Sequence, residues 1–144
     1  MLRIAMTRAN PPANPPDWSA IDTVLLDLDG TLLDLAFDTR FWRHTVPAAW
    51  AQTQGVTLEQ AREQLAPLFR AREGTLDWYS VVYWSQELGL DVAALKRAAM
   101  HEVRWLAGVP QFLETLRRKG KRLVLFTNAH PLSLAIKDER TGRS

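Results

Sequence analysis

Two aspartates, Asp27 and Asp29, follow the apolar stretch Val24-Leu25-Leu26 and are succeeded at once by Gly30 and Thr31. Carboxylates at the end of an apolar run are costly unless something compensates them. One chemistry accounts for the pair. An aspartate can attack phosphorus and carry an aspartyl-phosphate. A second carboxylate two positions on can give a proton to the leaving oxygen and later take one from water. Adjacent carboxylates repel each other, and a hard divalent cation such as Mg²⁺ resolves this by binding one or two of them together with phosphate oxygens. Gly30 allows close backbone approach, and Thr31 offers a hydroxyl and an N–H. A calcium loop fits poorly: it needs glycine at its sixth position, whereas Gly30 falls fourth from Asp27 and Leu32 and Leu33 follow.

Such a pair needs a strand end to hold it. Residues 22–28 predict a strand whose apolar positions do not alternate, the pattern of a strand covered on both faces in a parallel sheet. Residues 121–128, "KRLVLFTN", have the same character. Between the two the signals are helical. Phe37, Phe41, Trp42, Val46 and Trp50 keep helical spacing, with Pro47 set to bend or restart that helix. Thr57-Leu58-Glu59-Gln60 is a capping-box pattern, and Leu58, Ala61, Leu65 and Phe69 form one stripe before Gly74. Trp78, Tyr79, Val82, Tyr83 and Leu88 predict a single third helix, and Asp91 caps a fourth reaching about Val103. Val109-Pro110 opens a further helix with Gly120 just past its end. At the carboxyl end of a strand in an open α/β sheet, side chains project into the crevice where ligands bind.

The 144 residues are 47% hydrophobic and 24% charged with net charge +2, the balance of an ordinary globular protein. No cysteine is present, which excludes thiolate catalysis and cysteine metal sites and fits a reducing, cytoplasmic compartment. No apolar run approaches the roughly 20 residues of a membrane-spanning helix. The basic run Arg117–Arg122 suits a helix terminus better than a nucleic-acid footprint. The start of the chain lacks the apolar core of a signal peptide, and its four prolines (Pro11, Pro12, Pro15, Pro16) make residues 1–16 a tail.

Asp27-Leu28-Asp29-Gly30-Thr31 after a buried strand resembles the first motif of the haloacid dehalogenase (HAD) superfamily, and Phe126-Thr127-Asn128 resembles its second. The stretches "LDWYSVVYWSQELGLD" and "TNAHPLSLAIK" extend the likeness to the purine 5′-nucleotidases of that superfamily, from about Pro16 to about Gly142. The resemblance implies an α/β fold: a HAD-like parallel core, incomplete here, at residues 17–35 and 105–144, with an all-helical cap inserted after the first strand at 36–104. It implies hydrolysis of GMP or IMP, with Asp27 as nucleophile and Asp29 as acid/base. Phosphate would be bound by Gly30, Thr31, Thr127 and Asn128, and Mg²⁺ by the Asp27 side chain and the Asp29 carbonyl. The second aspartate marks phosphatases and phosphomutases, so a sugar-phosphate phosphatase or phosphomutase with the same cap stays open.

Arg40, Arg43 and His44 are candidates for phosphate or base contacts. His130 reads first as a loop residue beside Pro131, and secondarily as a substrate contact. Trp78, Tyr79, Tyr83 and Trp84 suit packing inside the cap, and secondarily stacking on a purine. Asp34 is expected to cap a helix or start the cap linker. The family's later lysine and acidic pair have no match, so the chain resembles the first two thirds of an enzyme. Lys137 is expected to face outward beside Asp138 and Glu139. Alone, the chain is expected to be inactive and to self-associate, and a non-catalytic binding module is the competing class. No membrane or nucleic-acid polymer is expected as partner.

Overall fold

The computed structural model describes residues 16–142, so the proline-rich tail expected at 1–16 lies outside the described residues apart from Pro16. Two strands, β1 (Thr23–Leu26) and β2 (Arg122–Leu125), pair in parallel with Thr23 opposite Arg122 and Leu26 opposite Leu125. Parallel strands require a crossover. Here it contains every helix between them: α1 (Ala36–Arg40), α2 (Val46–Gln54), α3 (Leu58–Arg72), α4 (Leu76–Tyr79), α5 (Val81–Leu88), α6 (Val92–Ala98) and α7 (Val109–Arg118). A last helix, α8 (Pro131–Thr141), follows β2. The fold is thus mixed α/β, and among the described residues no strand lies between Phe37 and Val103.

Local chemistry explains most boundaries. Thr57 and Gln60 exchange the two hydrogen bonds of a capping box at the start of α3, at 2.9 and 3.2 Å. Asp91 Oδ1 accepts from the Ala94 amide at 2.8 Å, capping α6, and Asp34 Oδ1 accepts from the Ala36 amide at 2.9 Å in the turn that leads into α1, whose own cap position is Leu35. Pro47 restarts the second helix after a π-helical turn at Phe41–Thr45. Proline has no N–H for the carbonyl four residues back. That carbonyl, on Arg43, accepts instead from Arg62 Nε of α3 at 3.3 Å.

Two expectations need correction. The third helix is split: Ser80 ends α4 and caps α5, its Oγ accepting from the Tyr83 amide at 3.1 Å, while the Trp78 carbonyl accepts from Trp84 Nε1 at 3.0 Å. The strands are shorter than predicted and are not covered on both faces. Val24, Leu26 and Leu123 join an apolar cluster with Leu113 of α7 and Leu134 of α8. Leu25 is 66% exposed and Phe126 74%, because the apolar contacts of the sheet gather on one side.

A second cluster, with Phe41, Leu65, Val81, Trp84 and Val92, fills the helical insert. The insert's entry and exit are stitched together. Leu33 bridges Trp105 in antiparallel sense, the Asp34 amide donates to the Arg104 carbonyl at 3.0 Å, and the Leu106 amide donates to the Leu32 carbonyl at 2.9 Å.

Candidate active site

The loop after β1 turns back on itself at once. The Leu28 carbonyl accepts from the Leu32 and Leu33 amides at 2.9 and 2.8 Å, and the Gly30 amide donates to the Leu33 carbonyl at 2.8 Å. Gly30 has φ +83°, a backbone angle that favours glycine, while the nearest atom to a Cβ there would be the end of the half-exposed Leu35 side chain at 2.9 Å. Buried Leu28, Leu32 and Leu33 anchor this turn in the core. It carries the two aspartates.

Their surroundings differ. Asp27 is exposed, and its Oδ2 accepts from Thr31 Oγ1 at 3.3 Å. Asp29 is half-buried, and its Oδ1 accepts from Lys137 Nζ at 2.6 Å. Lys137 therefore does not face outward: it is 1% exposed and points from α8 into the site, while its neighbour Glu139 pairs with Arg97 of α6 at 2.6 Å. The same ammonium donates to Asp38 Oδ2 at 2.6 Å, and Asp38 Oδ1 takes Lys96 Nζ at 2.8 Å. Lys96 is 3% exposed, with its Nζ over the rings of Phe37 and Phe41 at 5.5 and 5.2 Å from their centres. Burial works to raise the Asp38 carboxyl, but the Lys96 and Lys137 ammoniums outweigh it and hold it below its ordinary value. Burial pushes the Lys96 ammonium down, which Asp38 offsets in part.

Asp29, Asp38 and Lys96 stand on one side of a cavity of about 580 Å³ between the β1 loop, the helical insert and the start of α8. Of the residues singled out from sequence, Arg43, Trp78, Tyr79 and His130 line it. His130 has a structural duty as well, its Nδ1 accepting from the Leu132 amide at 3.3 Å to cap α8. Tyr83 and Trp84 lie in the insert's apolar cluster instead, with Tyr83 Oη accepting from Arg72 Nε at 2.7 Å. Arg40 pairs with Glu102 at 3.5 Å, and His44 borders a separate groove beside Arg62. Thr127 and Asn128 follow β2 next to the cavity residue Ala129, with Thr127 Oγ1 accepting from the Ala129 amide at 3.1 Å. The structure adds Trp42, Phe69, Arg70, Glu73 and Ser133 to the lining. The Phe69 and Trp42 spacing was readable as helical stripe, but which end of the stripe borders a cavity was not.

With Asp29 on the cavity and Asp27 on the same strand-end turn outside its lining, residues 21–143 match the family of haloacid dehalogenase-like hydrolases. The chain belongs to that family. It is 47% identical over 130 residues to the GMP/IMP nucleotidases YrfG of Escherichia coli (strain K12) and Shigella flexneri, a match covering 87% of this chain and 56% of each relative. The chain therefore spans little more than half the length of these relatives. A HAD phosphatase from Thermococcus onnurineus shares the fold, with TM-score 0.72 at 23% identity over 85% of this chain and 57% of that one. In this HAD chain no helix among the described residues is long and apolar enough to cross a membrane.

Proposed function

We propose that these residues serve a magnesium-dependent phosphohydrolase that removes the 5′-phosphate of purine nucleoside monophosphates, GMP and IMP, through an aspartyl-phosphate on Asp27. The observation that carries this reading is the position of Asp29 at the rim of a cavity lined by Trp78, Tyr79, Arg43 and Arg70. Its volume, about 580 Å³, lies in the range of small-molecule sites. Trp78 and Tyr79 suit stacking on a base. Arginine donors suit the O6 and N7 acceptors of a 6-oxopurine, and the Glu73 carboxylate suits its N1–H. Adenine has an amino group at C6 and no N1–H, so the same groups disfavour it. The nucleotidase name of the 47%-identical relatives agrees with this substrate class.

In the reaction, a carboxylate oxygen of Asp27 bonds to phosphorus as the bond from phosphorus to the 5′-oxygen breaks. Asp29 gives its proton to that leaving oxygen. It then takes one from the water that attacks the aspartyl-phosphate, releasing phosphate and restoring both carboxylates to their starting states. Thr31, Gly30, Thr127 and Asn128 are assigned to the phosphoryl oxygens. The Asp27 carboxylate, exposed and free of any ammonium partner within the described residues, fits Mg²⁺, with the Asp29 carbonyl as second ligand. When bound, the ion offsets the negative charge of nucleophile and phosphate. We assign residues 36–104 to a cap and the flanking segments to the core; the second apolar cluster lies wholly within 36–104, while Phe37 and Val103 near the ends of that segment pack with the core cluster.

Phosphate release from GMP, IMP, AMP and sugar phosphates by the product of the whole reading frame tests this. GMP and IMP should lead, chelation should stop turnover and added Mg²⁺ should restore it. Equal rates on sugar phosphates would sink the purine assignment.

A further inference from the structure

We propose that Asp38 is a positioning residue that ties the seating of the helical insert to the placement of Asp29. The bonds run in one line. Lys96 of α6 meets Asp38 of α1 at 2.8 Å, Asp38 meets Lys137 of α8 at 2.6 Å, and Lys137 meets Asp29 of the β1 loop at 2.6 Å. Lys96 and Asp38 belong to the insert, while Lys137 and Asp29 belong to the elements around the sheet. The line therefore crosses between them at the Asp38–Lys137 contact. Two ammoniums and two carboxylates alternate, so the charges of the two buried lysines are cancelled by carboxylates that reach toward the cavity.

Stability alone is a poor reason for this device. Replacing a buried ion pair by apolar groups of the same shape is often neutral or stabilising, because desolvation offsets the attraction. What the line supplies is direction. Lys137 holds Oδ1 of Asp29, leaving Oδ2 as the oxygen that can carry a proton toward the cavity. A lysine ammonium on a long stem has no fixed position of its own. The second bond, to Asp38, fixes it, and Lys96 in turn holds the other oxygen of Asp38. If the insert lifts, Asp38 leaves with it, and Lys137 and Asp29 lose their common reference. Asp29 is thus placed for proton transfer when the insert is seated over the cavity.

The inference rests on the phosphatase reading for the duty of Asp29, so two readouts are taken together on the product of the whole reading frame. The variants are Asp38→Asn and Asp38→Asn/Lys96→Met; the double change removes the ammonium that the single change strands in an apolar pocket. Hydrogen exchange follows the Gly30 and Leu33 amides of the turn against those of α5. Steady-state kinetics on GMP give kcat and KM separately. The turn amides should exchange faster in both variants with α5 unchanged, and kcat should fall by about 100-fold, the cost of misplacing a reacting group by about 1 Å. KM should stay within about twofold, because these residues do not form the stacking wall. A folded double variant with unchanged turn exchange overturns the proposal, as does loss of exchange protection in α5 to the same degree. Faster turn exchange with wild-type kcat overturns it too. If the wild-type protein releases no phosphate from GMP, the phosphatase reading fails, and the exchange comparison alone still decides whether Asp38 places Asp29.

Discussion

Asp27 and Asp29 are two residues apart yet held by opposite means. Asp27 is exposed with a hydroxyl neighbour, and Asp29 is clasped by a buried ammonium. This predicts that Asp27→Asn abolishes phosphate release, by at least about 1,000-fold, because an amide is a poor nucleophile. Thermal stability should hardly change, since the exposed Asp27 anchors nothing in the core. Retained turnover would rule out covalent catalysis through Asp27. Asp38 gives a prediction of the other kind. Its carboxyl sits below its ordinary value when folded, so the unfolded chain binds that proton more readily. Asp38 thus contributes stability at pH above the ordinary carboxylate range, and the contribution fades as pH falls through the depressed folded value. Melting temperatures from pH 7 to 2 should fall more steeply in the wild type than in Asp38→Asn/Lys96→Met; parallel curves would contradict this. The aspartate pair was legible in sequence because strand end, glycine turn and threonine are all local. The lysines were not. Their partners lie 58, 99 and 108 residues away, and nothing local distinguishes Lys137 from its solvated neighbours.

Among the elements, boundaries were legible where a capping residue closely follows a glycine that ends the preceding helix, as Thr57 follows Gly55 and Asp91 follows Gly89. Thr57-Leu58-Glu59-Gln60 and Asp91 start the helices they were expected to start. The break at Ser80 was hidden because Trp78, Tyr79, Val82, Tyr83 and Leu88 keep a helical rhythm across it. Two hydrogen bonds decide the matter, Ser80 Oγ with the Tyr83 amide and Trp84 Nε1 with the Trp78 carbonyl. The break has a use: α4 keeps Trp78 and Tyr79 on the cavity while α5 sends Trp84 into the insert's cluster. Ser80→Ala should therefore cost about 1 kcal/mol, as loss of a helix cap does. It should also raise KM for GMP more than it lowers kcat, because it loosens the wall and leaves the aspartates alone. Denaturant melts with steady-state kinetics check both, and an unchanged KM would show that the split does not place the wall.

At the scale of the molecule, the parallel sheet and helical insert were legible, and the non-alternating strand pattern, which suits cover on both faces, meets cover on only one in this chain. In the paired register Leu25 stands opposite Val124 on one face, and both are exposed, as is Phe126 just beyond β2. A sheet of two strands has an unpaired edge on each, and two strands do not usually make a stable sheet by themselves. Apolar faces beside open edges pair with other chains. The 144-residue chain by itself should therefore run above its 16.4 kDa monomer mass in size exclusion with light scattering, increasingly so at higher concentration. Leu25→Lys with Phe126→Lys should return it toward the monomer, since a charge on each exposed position opposes stacking without entering the cluster around Leu26 and Leu28. Far-ultraviolet circular dichroism should stay unchanged, as neither side chain packs in that cluster. The helical insert offers the contrasting case, because its aromatic residues are mostly turned onto one another, with Trp84 within 5.0 Å of both Phe69 and Tyr83. Association should accordingly protect the amides of β1 and β2 from hydrogen exchange and leave those of α2 and α5 as they are. Protection of the helices in place of the strands would mean that the exposed sheet is not what brings the chains together.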